Sequence, residues 1–275
     1  MADPKFNKDL CIGCGMCVSE CSFLRIPSIG KGNVPYVHYP NACIQCGHCI
    51  AVCPTNAVTH ADFDMSNCRC IAHLPNAEEV AELFKSKRSV RQFKNKPIEK
   101  ELIAQIISVA SHAPTDLNSQ NRSFYVLTNQ EHIATIEAAI VHGFENYIEQ
   151  APKLGLSENS YEILLSKEIV HEYTRGGNPI FKKAPCVLLI YGPADTSEPF
   201  APFNTITANT YAMIYAHSLG IESCIIGRAL YDTVSLAAYL RIPEQMKIYS
   251  VLTLGYPKIK YKKLVDRTPK EIIWN

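Results

Sequence analysis

From residue 76 onward, helical spacing alternates with short unbroken apolar runs. Asn76 opens the first helix as an N-cap, with Glu78 and Glu79 in the first turn. Leu102, Ile103, Ile106, Ile107 and Ala110 repeat at helical intervals in the next segment. Apolar runs then follow at 124–128 (FYVLT), 186–192 (CVLLIYG), 223–227 (SCIIG) and 249–255 (YSVLTLG), which read as strands. Helical stretches at about 130–149, 158–174, 203–219 and 232–240 separate most of them. Strands separated by helices imply an α+β or α/β body with a central sheet, and α+β is the class expected. Pro152, Pro179 and Pro185 interrupt the middle, where a mobile or lid segment is expected. Residues 61–75, ADFDMSNCRCIAHLP, have no period and read as a connector. The domains expected are therefore 1–60 and 76–275, joined by 61–75.

Composition narrows the setting. The chain has 275 residues, 47% hydrophobic and 19% charged, as in ordinary globular proteins. No apolar run approaches the ~18–20 residues of a membrane span, and the start, MADPKFNKDL, lacks the layout of a signal peptide. A cytoplasmic protein with no membrane partner is expected. A formal charge of +1 gives no reason to expect a nucleic-acid partner. Twelve cysteines point to metal or redox chemistry in that compartment.

Eight of those cysteines form one pattern written twice. CIGCGMCVSEC runs from Cys11 to Cys21, and CIQCGHCIAVC from Cys43 to Cys53. The spacing C-x2-C-x2-C-x3-C is that of the bacterial ferredoxin run for 4Fe–4S clusters. Three thiolates two residues apart can wrap three corners of a cubane, and the fourth reaches the other cluster. Cys11, Cys14, Cys17 and Cys53 are assigned to one cluster, and Cys43, Cys46, Cys49 and Cys21 to the other. Structural zinc would favour paired C-x2-C units set further apart. Gly15 and Gly47 occupy matched places where backbone N–H groups can approach cluster sulfurs. Eight thiolates on two doubly positive cores would leave the protein about four charges more negative than the formal count. Residues 5–60 thus resemble a two-cluster ferredoxin, with one departure: Pro54 follows Cys53, but Ser22 follows Cys21.

Three stretches of the body stand out. KRSVRQF (87–93) sets three cations beside a serine, a combination suited to an anion such as phosphate. APTDLNSQNRSF (113–124) offers the amides of Asn118, Gln120 and Asn121, which can pair with the edge of a heteroaromatic ring. GIESCIIGRAL (220–230) is a strand ending in glycine. In this order, and with LGYP at 254–257, they resemble the FMN-dependent nitroreductase family over about residues 76–275.

That resemblance implies the rest of the site. Lys87, Arg88 and Ser89 would hold the FMN phosphate and ribityl chain. Arg91 would sit at the flavin N1–C2=O edge and stabilise charge on the reduced ring. Asn118, with Gln120 in the same loop, would face the ring edge. Ile226 and Gly227 would lie along the flavin, and Arg267 would close on the phosphate. Lys87 stands where arginine is common, and Asn121–Arg122 replaces the usual Pro-Trp. The resemblance also implies an intertwined homodimer. Cys186 and Cys224, in apolar strands, are expected to be inert, and Cys68 and Cys70 to be ordinary thiols of the connector.

The combination reads as an oxidoreductase of an anaerobic setting. Single electrons from an external low-potential donor such as ferredoxin would pass through the clusters to FMN. They would leave in pairs to a small acceptor: a nitroaromatic, a quinone or an activated alkene. Two alternatives stay open. One is an NAD(P)H-oxidising flavoprotein passing electrons out through the clusters. The other is a non-enzymatic electron-transfer hub.

Overall fold

A computed structural model describes residues 3–195, 197–268 and 270–274. The chain divides into two compact units. One holds the residues up to Pro75 together with Leu117–Ser119, and the other holds Asn76–Asp116 and the chain from Gln120 on.

The first unit is built from short pieces. Strands β1 (Lys5–Phe6) and β4 (Val58–Thr59) pair antiparallel, with Phe6 opposite Val58. Strands β2 (Leu24–Arg25) and β3 (Tyr36–Val37) pair likewise. Helices α1 (Met16–Glu20) and α2 (His48–Ala51) are one turn each. Gly15 and Gly47 cap their N-termini at φ 78° and 73°, the left-handed region where a Cβ is costly. The matched glycines therefore mark matched turns.

The second unit is a sheet covered on both faces. Its helices are α3 (Ala77–Ser86), α4 (Lys100–Ser111), α5 (Gln130–Gln150), α6 (Tyr161–Thr174), α7 (Ala201–Ser218) and α8 (Thr233–Tyr239). Asn76 starts α3 with a full capping box: it accepts from Glu79 N and Glu79 accepts from Asn76 N. Strands β5 (Ser123–Leu127), β6 (Cys186–Pro193), β7 (Glu222–Ile225) and β8 (Met246–Gly255) lie in the order β5-β6-β8-β7, each pair antiparallel. Antiparallel pairing makes the unit α+β.

Side-chain alternation explains the unbroken apolar runs. In β6, Val187 and Leu189 join one core with Ile133, Ile136 and Ile140 of α5 and Leu236 of α8. Cys186, Leu188 and Ile190 join the opposite core with Ile103 and Ile106 of α4 and the alanines of α7. β6 is an unbroken apolar run because both its faces are covered. Helix α7 comes close to the sheet along Ala201, Thr205, Ala208, Ala212 and Ala216, all buried. Its other side exposes Phe203, Ile206 and Tyr211. Among the described residues no helix is long and apolar enough to cross a membrane.

Candidate functional site

The two cysteine runs surround two voids, and their fourth cysteines cross over. Cys11, Cys14, Cys17 and Cys53 line one void with Phe6, Pro35 and Val58. Cys43, Cys46, Cys49 and Cys21 line the other, of about 200 Å³, with Phe23, Leu24, His60 and Phe63.

The thiols crowd one another electrostatically. Burial, and then the thiols of Cys21, Cys46 and Cys43, push Cys49 up to about 11. Burial raises Cys17, and Cys14, Cys53 and Cys11 add to it. Burial alone would also raise Cys53, but hydrogen bonds from Thr55 and Ala57 outweigh it and leave that thiol below its ordinary value. A thiol that burial holds against ionising in each set, Cys17 in one and Cys49 in the other, suits a cationic core that would stabilise the thiolates around it. The donor set fits a cubane in each void.

In the second unit, residues 87–94 run beside the end of the sheet. Val90 N donates to Ser223 O at 3.1 Å, and Lys94 N to Tyr256 O at 2.7 Å. Val90 and Phe93 are buried with Ala184. A Cβ on Gly255 would lie 2.6 Å from the Phe93 ring and 2.7 Å from Pro185 Cδ. The LGYP glycine is thus what lets the KRSVRQF segment dock.

Lys87 does not point outward from this segment. Its ammonium lies 3.1 Å from Glu222 Oε2, donates to Ser223 O at 3.0 Å, and is 95% buried. Burial lowers its pKa, and Glu222 opposes the shift. Glu222 Oε1 in turn receives His217 Nδ1 at 2.7 Å. Arg88 is half-buried, and Ser89 and Arg91 are exposed.

Arg91, Ile226 and Gly227 line one cavity of about 470 Å³. Arg228, Tyr231, Tyr161, Leu165, Ile180 and Lys182 complete most of its wall. The last four come from the proline-interrupted middle, where α6 and a turn stand. Lys182 and Lys183 both have φ 56°, an uncommon conformation for residues with side chains. Glu137 of α5 receives Ile180 N at 2.8 Å and is fully buried. Burial drives its carboxyl up to about 7, against the backbone N–H groups of Ile180 and Phe181. Glu137 stands on the apolar stripe of Ile133, Ile136, Ile140 and Val141, and an acid on such a stripe was its signal in the sequence. Tyr161 and Lys182 gave none, since the turns decide where they come.

The remaining expected residues lie elsewhere. The Asn118 amide donates to Ile44 O at 2.9 Å and Gln45 O at 2.8 Å. Leu117, Asn118 and Gln120 all have positive φ, from 44° to 54°. Gln120 N donates to Thr115 Oγ1 at 3.1 Å. Arg122, at the usual tryptophan position, gives Nη2 to the carbonyls of Ala110, Ser111 and Ala113. It is a cationic cap on the C-terminus of α4. Arg267 is exposed in the C-terminal segment. Cys186 is fully buried and pushed up to about 12 by burial, while Cys68 and Cys70 are exposed.

Comparison with known proteins matches residues 84–256 to the nitroreductase family model. The chain belongs to the nitroreductase family. Residues 10–58 match the 4Fe–4S dicluster domain, so a nitroreductase body carries an iron–sulfur domain on the same chain, and the protein is an oxidoreductase. A Methanothermobacter thermautotrophicus protein named NADH dehydrogenase/NAD(P)H nitroreductase is 25% identical over 65% of this chain and 78% of its own length. A Bacteroides fragilis nitroreductase solved with bound FMN superposes with a TM-score of 0.56 at 22% identity, over 71% of this chain and 98% of that one. Iodotyrosine deiodinase bound to FMN and 3-iodo-L-tyrosine gives 0.56 at 19% identity, over the same shares.

Proposed function

We propose that this nitroreductase-family protein is an FMN-dependent reductase fed through its own ferredoxin domain. In this reading the two cysteine sets hold two 4Fe–4S clusters. An external low-potential donor such as ferredoxin delivers electrons singly, and a nitroaromatic, quinone or activated-alkene acceptor takes them in pairs. The observation that carries it is the presence on one chain of two four-thiol voids and a nitroreductase cavity lined by Arg91, Ile226 and Gly227. Covalent linkage keeps the cluster domain at high effective concentration near the flavin domain. FMN, when bound, supplies the exchange between one-electron and two-electron chemistry.

The chain's own residues divide the remaining work. Arg88 and Ser89 bind the phosphate, joined by Arg267. Lys87, paired with Glu222, anchors the segment that presents them. Arg91 places a permanent positive charge at the cavity wall, where it favours a negatively charged ring. Ile226 and Gly227 offer a backbone surface for the ring, while the Asn118 amide is held by the carbonyls of Ile44 and Gln45 and is not assigned to the ring edge. Glu137 fixes the turn that carries Ile180 and Lys182 into the cavity wall. The exposed apolar side of α7, with Phe203, Ile206 and Tyr211, and the exposed Ile272, Ile273 and Trp274 support a homodimer. A cytoplasmic, anaerobic setting suits this chemistry.

The test is anaerobic stopped-flow reduction of the flavin. Reduced ferredoxin should reduce it rapidly in the intact protein, and NAD(P)H only slowly. The name of the Methanothermobacter relative favours a second reading, in which NAD(P)H reduces the flavin and electrons leave through the clusters. Rapid NAD(P)H reduction with no response to ferredoxin would select that reading. An open cavity lined by exposed Tyr161 and Tyr231 favours an enzyme over a hub that meets only proteins.

A further inference from the structure

One of the two voids has a buried histidine in its wall. His60 is 4% exposed and lines only the void of Cys43, Cys46, Cys49 and Cys21. Its Nε2 lies 3.6 Å from Cys43 Sγ, within reach of an N–H to sulfur hydrogen bond. The other ring nitrogen settles which way the proton points. Asp62 N lies 3.2 Å from Nδ1, and a backbone N–H can only donate, so Nδ1 carries the lone pair. The ring proton is then on Nε2 and faces the sulfur. Phe63 packs edge-on against the ring at 5.4 Å and holds its plane. The Asp62 carboxylate, 3.7 Å from Nδ1, is itself tied to Gln45 Nε2 at 2.7 Å. Gln45 also gives its backbone N–H to Cys43 Sγ at 3.4 Å. Cys43 thus meets two N–H donors, one of them a buried ring.

The other half of the repeat has no such ring. The offset that carries Cys11 onto Cys43 carries Ser28 onto His60, and Ser28 is exposed. Among the described residues, the void of Cys11, Cys14, Cys17 and Cys53 is lined by Phe6, Ile12, Pro35, Thr55, Ala57 and Val58 and by no histidine.

We infer that His60 is a positioning residue that raises the potential of the Cys43 cluster by donating Nε2–H to the Cys43 thiolate. The reduced form of a cluster carries one more negative charge than the oxidised form. An N–H aimed at a ligand sulfur stabilises that extra charge and raises the potential. The contact therefore raises the potential of the Cys43 cluster above the value it would have without the histidine; at the other set, Ala57 N lies 3.2 Å from Cys53 Sγ and acts there in the same sense whether or not His60 is present. This needs only the clusters of the dicluster domain, and it holds for either direction of electron flow.

The experiment is an EPR-monitored redox titration of the full-length protein, purified without oxygen, with iron counted in every sample. In His60→Ala one of the two cluster midpoints should move to lower potential, with the other unmoved and the iron retained. His60→Gln keeps an N–H donor and should recover part of the shift. Two unmoved midpoints at full iron content would overturn the assignment, as would a parallel shift of both or a rise of either. If His60→Ala fails to assemble a cluster, pulsed EPR of the reduced wild type grown on 15N-histidine decides instead. A 15N coupling on one cluster, lost in His60→Gln, supports the contact; its absence from the wild type refutes it.

Discussion

The two units are held together by opposite means. In the first, the buried apolar side chains among the described residues are Pro4, Cys17, Leu24, Pro35, Ala57 and Val58, too few to form a core, and the strands are two residues long. In the second, two broad apolar cores sandwich a four-stranded sheet. A small domain without a core depends on cross-links or metal for stability, and the eight thiols supply the ligands. The second unit buries its apolar strands on both faces and owes its fold to packing. The difference teaches where each unit is vulnerable: the first to loss of its inorganic ligands, the second to changes of shape or buried charge.

Removing one ligand should have the largest effect. Cys49→Ala is expected to lose roughly half of about eight irons per chain and to expose the first unit to protease, with cleavage confined ahead of residue 76. Iron analysis and limited proteolysis would read it. Cleavage spread across both units would show that the second also depends on the clusters.

Cutting the chain at the unit boundary tests independence directly. Residues 76–275 alone should stay folded, dimerise and bind FMN, while ferredoxin-driven turnover falls by at least about 100-fold, because the covalent link is gone. Size-exclusion chromatography, flavin content and a steady-state assay separate those outcomes.

A smaller effect is expected from pH acting on the packed unit. Burial raises the Glu137 carboxyl from 4.5 to about 7, so the folded chain binds that proton more tightly than the unfolded one. Its contribution is favourable below about 4.5 and is lost as pH rises through about 7, by up to about 3 kcal/mol. Denaturation of residues 76–275 should lose stability over that window, and Glu137→Gln should flatten the slope. An unchanged slope would remove Glu137 from the account.

The smallest change is expected at the phosphate. Arg88→Ala should weaken FMN about 10- to 100-fold, the worth of one charge-assisted hydrogen bond, with melting little changed. Flavin fluorescence titration measures it. Full affinity in the variant would move the phosphate site away from this segment.

Local signals carried much of this protein. Periodicity placed the six helices and four strands of the body, because a sheet covered on both faces needs unbroken apolar runs and amphipathic helices must show a 3.6-residue period. Cysteine spacing divided the eight thiols into the two sets that line the two voids, because a cubane accepts few loop lengths. Tertiary structure decided what those local rules do not reach. Strand order and direction came from packing, since pattern alone left α+β and α/β open. Lys87 turned to Glu222 rather than outward, because a half-buried acid 135 residues later in the chain satisfies it. Arg122 became a helix cap, and Glu137, Tyr161 and Lys182 joined the cavity or its support through turns that no spacing encodes. His60 met Cys43 for the same reason. A residue's period and spacing are properties of its neighbours in the chain, whereas the partner of a buried polar group is fixed only when distant segments close around it.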